Sequence, residues 1–167
     1  MKTCTSTVVL PCTPEAYWRV HLDPAYQRAL YVDELHANAF EVLESGPDSC
    51  KLRIAPKVNL PGPVASLIGD SFVYEDHGSL NRAKNEWTWR MVPPSGGKPK
   101  KEFISTRGVV RIEAIGTDQC RRSDEVTLEG KIFGLGGIIE ASAEKEVREA
   151  WEKEFALLKR WLQQPGA

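Results

Sequence analysis

Residues Ile138–Gln163, IIEASAEKEVREAWEKEFALLKRWLQ, predict one long amphipathic helix near the C-terminal end of the chain. The stretch contains no proline or glycine, and Pro165-Gly166 follows it. Its large apolar side chains fall on one face at helical spacing: Val147, Ala150, Trp151, Phe155, Leu158, Trp161 and Leu162. At 1.5 Å per residue such a helix is roughly 40 Å long, which is enough to cross a whole sheet.

The residues before this helix predict an antiparallel sheet. β-rich segments recur with turn sequences between them, and in the last segment Val126 and Leu128 alternate with Thr127 and Glu129. The predicted strands are Thr3–Leu10, Ala39–Leu43, Lys51–Ala55, Ser71–Glu75, Asn85–Val92, Phe103–Ile115 and Asp124–Phe133. Strands joined by short turns pair antiparallel, and the apolar face of their sheet must be covered. We therefore expect an α+β fold in which a curved antiparallel sheet of about seven strands wraps around the C-terminal helix.

Two short helices are predicted after the first strand. Thr13-Pro14 and Asp23-Pro24 each place a capping side chain before a proline, which suits the first position of a helix. The first helix should run to about Leu22, and the second should include Tyr26 and Leu30. The apolar segment Pro56–Gly69 contains prolines and glycines and is expected to be an irregular loop. Its part Leu60–Ile68 either acts as a gate over a cavity or is simply packed shut.

Composition narrows the class of protein. The length of 167 residues is typical of one domain, so residues 1–167 are expected to form a single domain. Its 22 Lys+Arg nearly balance its 23 Asp+Glu, so nucleic acid is not expected to be the main partner. No apolar run approaches the ~20 residues of a transmembrane segment, and the N-terminal residues do not resemble a secretory signal. We therefore expect a cytoplasmic protein, whose lysines 98, 100 and 101 could make transient contact with anionic lipid headgroups.

The cysteines and histidines predict no metal site. Four scattered cysteines form no CxxC pair, and three histidines form no HExxH motif. Reduced thiols and no cofactor are therefore expected. The glycine-rich Gly134–Gly137 is expected to be a tight turn that lets the long helix pack on the sheet, because it does not match a phosphate-binding loop.

The order of these elements resembles the helix-grip fold of the START-like (SRPBCC) superfamily, closest to an uncharacterised bacterial branch of it. The segments that carry the resemblance are Pro14–Trp18, Asp23–Tyr26, Asn59–Pro61, Leu67–Gly69 and Leu128–Glu140. Gly134 stands where that branch usually has a proline. The resemblance implies a cavity between sheet and helix that holds an apolar ligand, and it implies no particular reaction.

Two features point to the lining of such a cavity. Trp87, Trp89 and Met91 share one face of a strand, where aromatic rings can line a pocket or simply pack in the core. Glu154 lies inside the apolar face of the long helix, where an unpaired carboxylate is costly. It fixes the polar end of a ligand, or the helix end is less buried there, or it pairs with a strand arginine such as Arg53, Arg107 or Arg111.

The preferred function is the binding, and conceivably the transport, of a small hydrophobic ligand such as a lipid, sterol or polyketide-like molecule. The expected ligand-binding residues are Tyr26, Leu30, Leu60, Leu67, Phe72, Tyr74, Trp87, Trp89, Met91, Val126, Leu128, Val147, Trp151, Glu154 and Leu158. A cyclase- or hydratase-type enzyme is the first alternative, with His21 or His77 as candidate acid–base groups. The second alternative is a protein-interaction module with a filled core and an exposed apolar patch.

Overall fold

The computed structural model describes residues 1–59, 61–68, 72–96 and 102–164, which form a seven-stranded antiparallel sheet and a long C-terminal helix. The strands are β1 (Lys2–Leu10), β2 (Ala39–Ser45), β3 (Ser49–Ala55), β4 (Tyr74–Asn81), β5 (Glu86–Val92), β6 (Ile104–Ala114) and β7 (Cys120–Gly130). Their order in the sheet is β1-β7-β6-β5-β4-β3-β2. The α-helices are α1 (Pro14–His21), α2 (Pro24–Arg28), α3 (Gly62–Ile68) and α4 (Gly136–Leu162).

The two short helices after β1 begin where the sequence predicts. The side chain of Thr13 accepts a hydrogen bond from the Ala16 amide at 3.2 Å, and that of Asp23 accepts one from the Ala25 amide at 2.8 Å. α2 continues directly into a π-helical segment, Ala29–Glu34, so the chain stays helical past Leu30. These elements lie at one end of the sheet and contribute Tyr17 and Tyr26 to the core.

The 27-residue helix α4 packs on β7, β1 and the π-helical segment. The turn before it depends on glycine, because a Cβ on Gly130 would lie 2.6 Å from the Cα of Gly136. Gly134 adopts a positive φ of 78° in the same turn. The predicted role of this turn, close packing of the helix on the sheet, is confirmed, and the architecture is the expected helix-grip fold.

Three predicted boundaries were wrong. The segment expected to be an irregular loop contains the helix α3. At the start of this helix the carbonyl oxygen of Pro61 accepts hydrogen bonds from the amides of residues 64 and 65. β4 was expected over Ser71–Glu75, but it runs from Tyr74 to Asn81, since pairing with β3 and β5 outweighs the poor strand propensity of Asp76 and Gly78. β7 begins at Cys120, before the predicted start at Asp124. The prediction missed its first residues because inward side chains there are charged, which interrupts the apolar alternation.

No helix in the part of the chain that the structure describes is long and apolar enough to cross a membrane. The predicted lipid-contacting lysines 98, 100 and 101 lie outside the described residues.

Candidate ligand-binding cavity

A cavity of about 340 Å³ lies between the inner face of the sheet and α4. Side chains from β3 to β7 form its floor and walls, and α4 and the π-helical segment form its roof. Most of this lining is apolar and aromatic. The alternation of each strand directs every second side chain inward, which is why residues from five adjacent strands meet around one space.

The structure brings most of the predicted ligand-binding residues together around this cavity. Those that line it are Tyr26, Leu30, Phe72, Tyr74, Trp87, Trp89, Met91, Val126, Leu128, Val147, Trp151 and Glu154. Leu158 does not line it, since its side chain is 0% exposed within the hydrophobic core. Leu60 and the side chain of Leu67 lie outside the described part of the chain.

Two strand glycines set the position of the tryptophan rings. A Cβ on Gly78 would lie 1.9 Å from the ring of Trp87, and a Cβ on Gly108 would lie 2.5 Å from the ring of Trp89. Each indole therefore packs directly over a glycine of a neighbouring strand, where the side chain of any larger residue would collide with it. Glycine in the interior of a strand was the available signal for this arrangement, and the sequence analysis missed it.

A buried ionic cluster closes one side of the cavity. Arg122 donates to both carboxylate oxygens of Asp124 at 2.7–3.1 Å and to both oxygens of Glu154 at 2.6 and 3.0 Å. The guanidinium also lies 5.1 Å from the ring centre of Phe155 and 5.7 Å from that of Tyr17. Glu154 thus pairs with a strand arginine, which was one of the predicted alternatives, but that arginine is none of Arg53, Arg107 and Arg111.

Arg122 escaped prediction because the strand was expected to start at Asp124. The available signal was the spacing of residues 122, 124, 126 and 128, which share one face of a strand. Burial alone lowers the pKa of Arg122, but Glu154 and Asp124 together with Tyr17 hold it well above the usual value. Arg122 therefore stays protonated, with the carboxyl groups of Asp124 and Glu154 both within hydrogen-bond distance of its guanidinium.

His21 lies on the same side of the cavity. Burial and the nearby Arg122 lower its pKa to about 4, so the imidazole is neutral at pH 7. Its ring packs edge-on against Trp87 at 5.0 Å, and Nδ1 lies 3.5 Å from the Tyr17 hydroxyl. A neutral imidazole at this position has one donor and one acceptor nitrogen, but it cannot act as a general acid at neutral pH.

His77, the other candidate acid–base group, lies on the opposite face of the sheet. Its Nε2 is 3.0 Å from Glu75, which also accepts hydrogen bonds from the amide and hydroxyl of Ser95 and from Arg53. Burial alone would raise the pKa of Glu75, but the hydrogen bonds from these donors outweigh burial and lower the pKa to about 2. Both carboxylate oxygens of Glu75 thus have partners, and none of these residues lines the cavity.

Asp76 differs from all the other carboxyl groups around the cavity. Its Oδ1 is buried and has no hydrogen-bond partner among the described residues. Burial raises its pKa from 3.8 to about 7. The Tyr26 hydroxyl, also in the lining, is buried without a hydrogen-bond partner as well. Two residues of one cavity lining thus carry buried polar atoms whose hydrogen-bonding capacity is unmet, which is unusual in a folded protein and typical of functional sites.

Within the described part of the chain, no three histidine, cysteine or acidic residues are placed to hold a metal ion. The four cysteines are free and buried. The sulfur atoms of Cys12 and Cys120 lie 3.7 Å apart. Cys120 is the first residue of β7, on the same strand as Arg122 and Asp124.

A known protein family matches nearly the whole of this chain. A family model described as "Protein of unknown function (DUF2505)" matches residues 5–162. No curated protein matches the chain in sequence.

Three solved structures share the fold at low sequence identity. The Zhui aromatase/cyclase from Streptomyces sp. R1128 superimposes with a TM-score of 0.69 at 13% identity, over 99% of this chain and 98% of that chain. Norcoclaurine synthase from Thalictrum flavum gives 0.65 at 15% identity, over 98% and 87%. A START superfamily protein from Mycobacterium smegmatis gives 0.60 at 14% identity, over 97% of each chain. These matches establish the START-like fold, and the chemistry of the cavity has to be derived from the residues of this chain.

Proposed function

We propose that this chain, which belongs to the DUF2505 family of proteins of unknown function, is a single-domain binding protein for a small hydrophobic ligand held between the sheet and α4. The observation that carries the proposal is the cavity of about 340 Å³ with its largely apolar lining. Pockets of this kind, with a few polar groups among apolar and aromatic walls, are typical of small-molecule sites. Buried apolar ligand area contributes about 25 cal/mol per Å², so hydrophobic contact alone supports useful affinity.

The cavity argues against a filled-core interaction module. That alternative requires an interior with room for no more than a few waters, whereas this space is about ten times the ~30 Å³ that one water occupies in the liquid. A lipid, a sterol and a polyketide-like compound all stay within the proposal, because an apolar lining does not by itself choose among them.

The test is native mass spectrometry of the protein purified from the organism that encodes it, followed by denaturing extraction. A stoichiometric apolar compound supports the proposal and gives the ligand class. An apo mass, together with no thermal shift in the presence of fatty acids, sterols and aromatic polyketides, contradicts it.

Substitution of Trp89 tests the location of the site. We expect Trp89→Ala to weaken binding of the recovered compound by about tenfold or more, because an aromatic wall is lost from the cavity. Trp161→Ala is the matched control, since Trp161 packs on the core without lining the cavity. Equal affinities in the two variants would place the ligand elsewhere.

An enzyme of the cyclase or hydratase kind is the second candidate. It is favoured by one observation, the unpartnered Asp76 carboxyl in the cavity with its pKa near neutrality, which suits a general acid or base. Incubation of the extracted compound with catalytic amounts of protein separates the two functions. Turnover that Asp76→Asn abolishes favours the enzyme, and recovery of the unchanged compound favours the binding protein.

A further inference from the structure

The position of Asp76 restricts the ligand further than hydrophobicity does. Asp76 lies on the inner face of β4, between Leu52 of β3 and Met91 of β5 in the sheet register. Both neighbours are apolar and both line the cavity. The carboxyl group is therefore held against the ligand space by a part of the sheet that offers its buried Oδ1 no donor within the described residues.

The groups around Asp76 supply no positive charge. Its nearest titratable neighbours are Tyr31 from the π-helical segment, Tyr74 from its own strand and Cys50 from β3, and burial raises the pKa of each above its usual value. All three are neutral at pH 7. Burial is the sole cause of the shift at Asp76, so no described cation compensates its charge.

The charged groups elsewhere in the lining leave an excess of carboxylates. The negative ones are Asp76, Asp124, Glu146, Glu149 and Glu154, and the positive ones are Arg122 and Lys153. Arg122 is already bound to Asp124 and Glu154, and His21 is neutral. Among the described residues, the lining therefore carries more acidic than basic side chains, which favours the entry of a cation over that of an anion.

The aromatic walls favour the same kind of ligand. The face of an indole or phenol ring carries a negative partial charge and attracts an ammonium group that approaches within about 6 Å. Trp87 and Trp89 both line the cavity, where each ring packs over a strand glycine. An apolar cation would therefore gain both ring contacts and a carboxylate partner, whereas an apolar anion would meet repulsion.

We propose that the ligand is a ring compound with a positively charged amine, and that the amine binds against the buried carboxyl of Asp76 while the rings pack on Trp87 and Trp89. This inference rests on the proposed binding function. An ammonium group at the accessible part of the Asp76 carboxylate would form a charge-assisted hydrogen bond, which is about twice as strong as a neutral one. It would also give a counter-charge to a carboxyl group whose buried Oδ1 has no hydrogen-bond partner among the described residues.

Binding of an amine should depend on pH in a defined direction. The amine pairs with the ionised form of Asp76, and the pKa of the empty site is about 7. Binding then displaces a proton when the pH is below 7. Affinity should rise by about tenfold from pH 6 to pH 8, as the ionised fraction of the empty site grows.

The experiment uses three probes with one ring system: 1-naphthylmethylamine, 1-naphthalenemethanol and 1-naphthoate. Isothermal titration calorimetry at pH 8 gives their affinities for the full chain. We expect the amine to bind about tenfold or more tightly than the alcohol and the carboxylate to bind most weakly. Asp76→Asn should bring the affinity for the amine down to that for the alcohol, and Asp118→Asn, at an exposed position, is the matched control that should keep the difference.

The outcomes separate this inference from the proposed function. If the alcohol binds as tightly as the amine, or if the preference for the amine survives in Asp76→Asn, the cavity binds ligands but the amine assignment is wrong. If none of the three probes binds, the amine assignment is contradicted, whereas the hydrophobic binding function is judged separately by native mass spectrometry and the thermal-shift panel. The pH dependence of amine binding in the unmodified chain is a second readout, and a flat profile between pH 6 and 8 overturns the proposal without any variant.

Discussion

Replacing Asp76 with asparagine should stabilise the protein in alkaline solution. The side chain of asparagine has almost the same shape but cannot ionise, so the substitution removes a charge from the interior without emptying space. Between pH 3.8 and 7 the folded state holds a proton on Asp76 that the unfolded state has lost. The contribution of Asp76 to the free energy of unfolding therefore falls as the pH rises through this window and is lowest above it.

The magnitude follows from the pKa shift. A rise from 3.8 to about 7 is close to three units. Each unit corresponds to about 1.4 kcal/mol, so ionisation of Asp76 costs about 4 kcal/mol at pH 9. The amide of asparagine is itself left unpartnered, which offsets some of the gain. We expect Asp76→Asn to raise the free energy of unfolding by about 2–4 kcal/mol at pH 9 and by less than about 1 kcal/mol at pH 4.

Urea unfolding followed by tryptophan fluorescence measures this difference at several pH values. The comparison of variant and parent at the same pH cancels every other titrating group, including His21. Parallel pH profiles of the two proteins would refute the reasoning, because they would mean that Asp76 titrates alike in the folded and unfolded states. Asp118→Asn should leave the profile unchanged, since that side chain is exposed.

Three further changes test other parts of the interior. Arg122→Gln should lower the free energy of unfolding by about 3–5 kcal/mol in the same urea assay, because it leaves two buried carboxylates without a partner. Gly108→Ala should shift the tryptophan emission and cost about 1–3 kcal/mol, because a Cβ there would lie 2.5 Å from the Trp89 ring, which must move. Mild oxidation should join Cys12 to Cys120, whose sulfur atoms are 3.7 Å apart, and a thiol count on the denatured protein should fall by two; an unchanged count would contradict this.

The elements that the sequence predicted well are those with a strong period. The apolar face of α4 repeats at helical spacing over its whole length, and the first α-helix is marked by a capping Thr13 followed by proline. Such signals are local, so they can be read without knowing what the segment packs against. The aromatic alternation of β5 likewise predicted correctly which face carries Trp87 and Trp89.

The polar part of the cavity could not be predicted in the same way. Arg122 and Asp76 lie at inward strand positions, where sequence patterns lead one to expect apolar residues. For that reason the prediction missed the start of β7 and the end of β4. Their partners come from distant elements, as Glu154 reaches Arg122 only after α4 has crossed the sheet. Pairing over such distances is a property of the folded chain and leaves no periodic trace in the sequence.

The number of available donors distinguishes the carboxyl groups of this protein from one another. Glu75 has four hydrogen bonds and a lowered pKa, and Glu154 has a bidentate bond to a guanidinium. Asp76 is also inside the protein, but its buried Oδ1 has no donor within the described residues and its pKa is raised. Satisfied carboxylates stabilise a fold, whereas an unsatisfied one costs stability unless something outside the chain completes it. The missing partner of Asp76, more than the size or apolar character of the cavity, is therefore the feature that identifies which chemical group a ligand must bring.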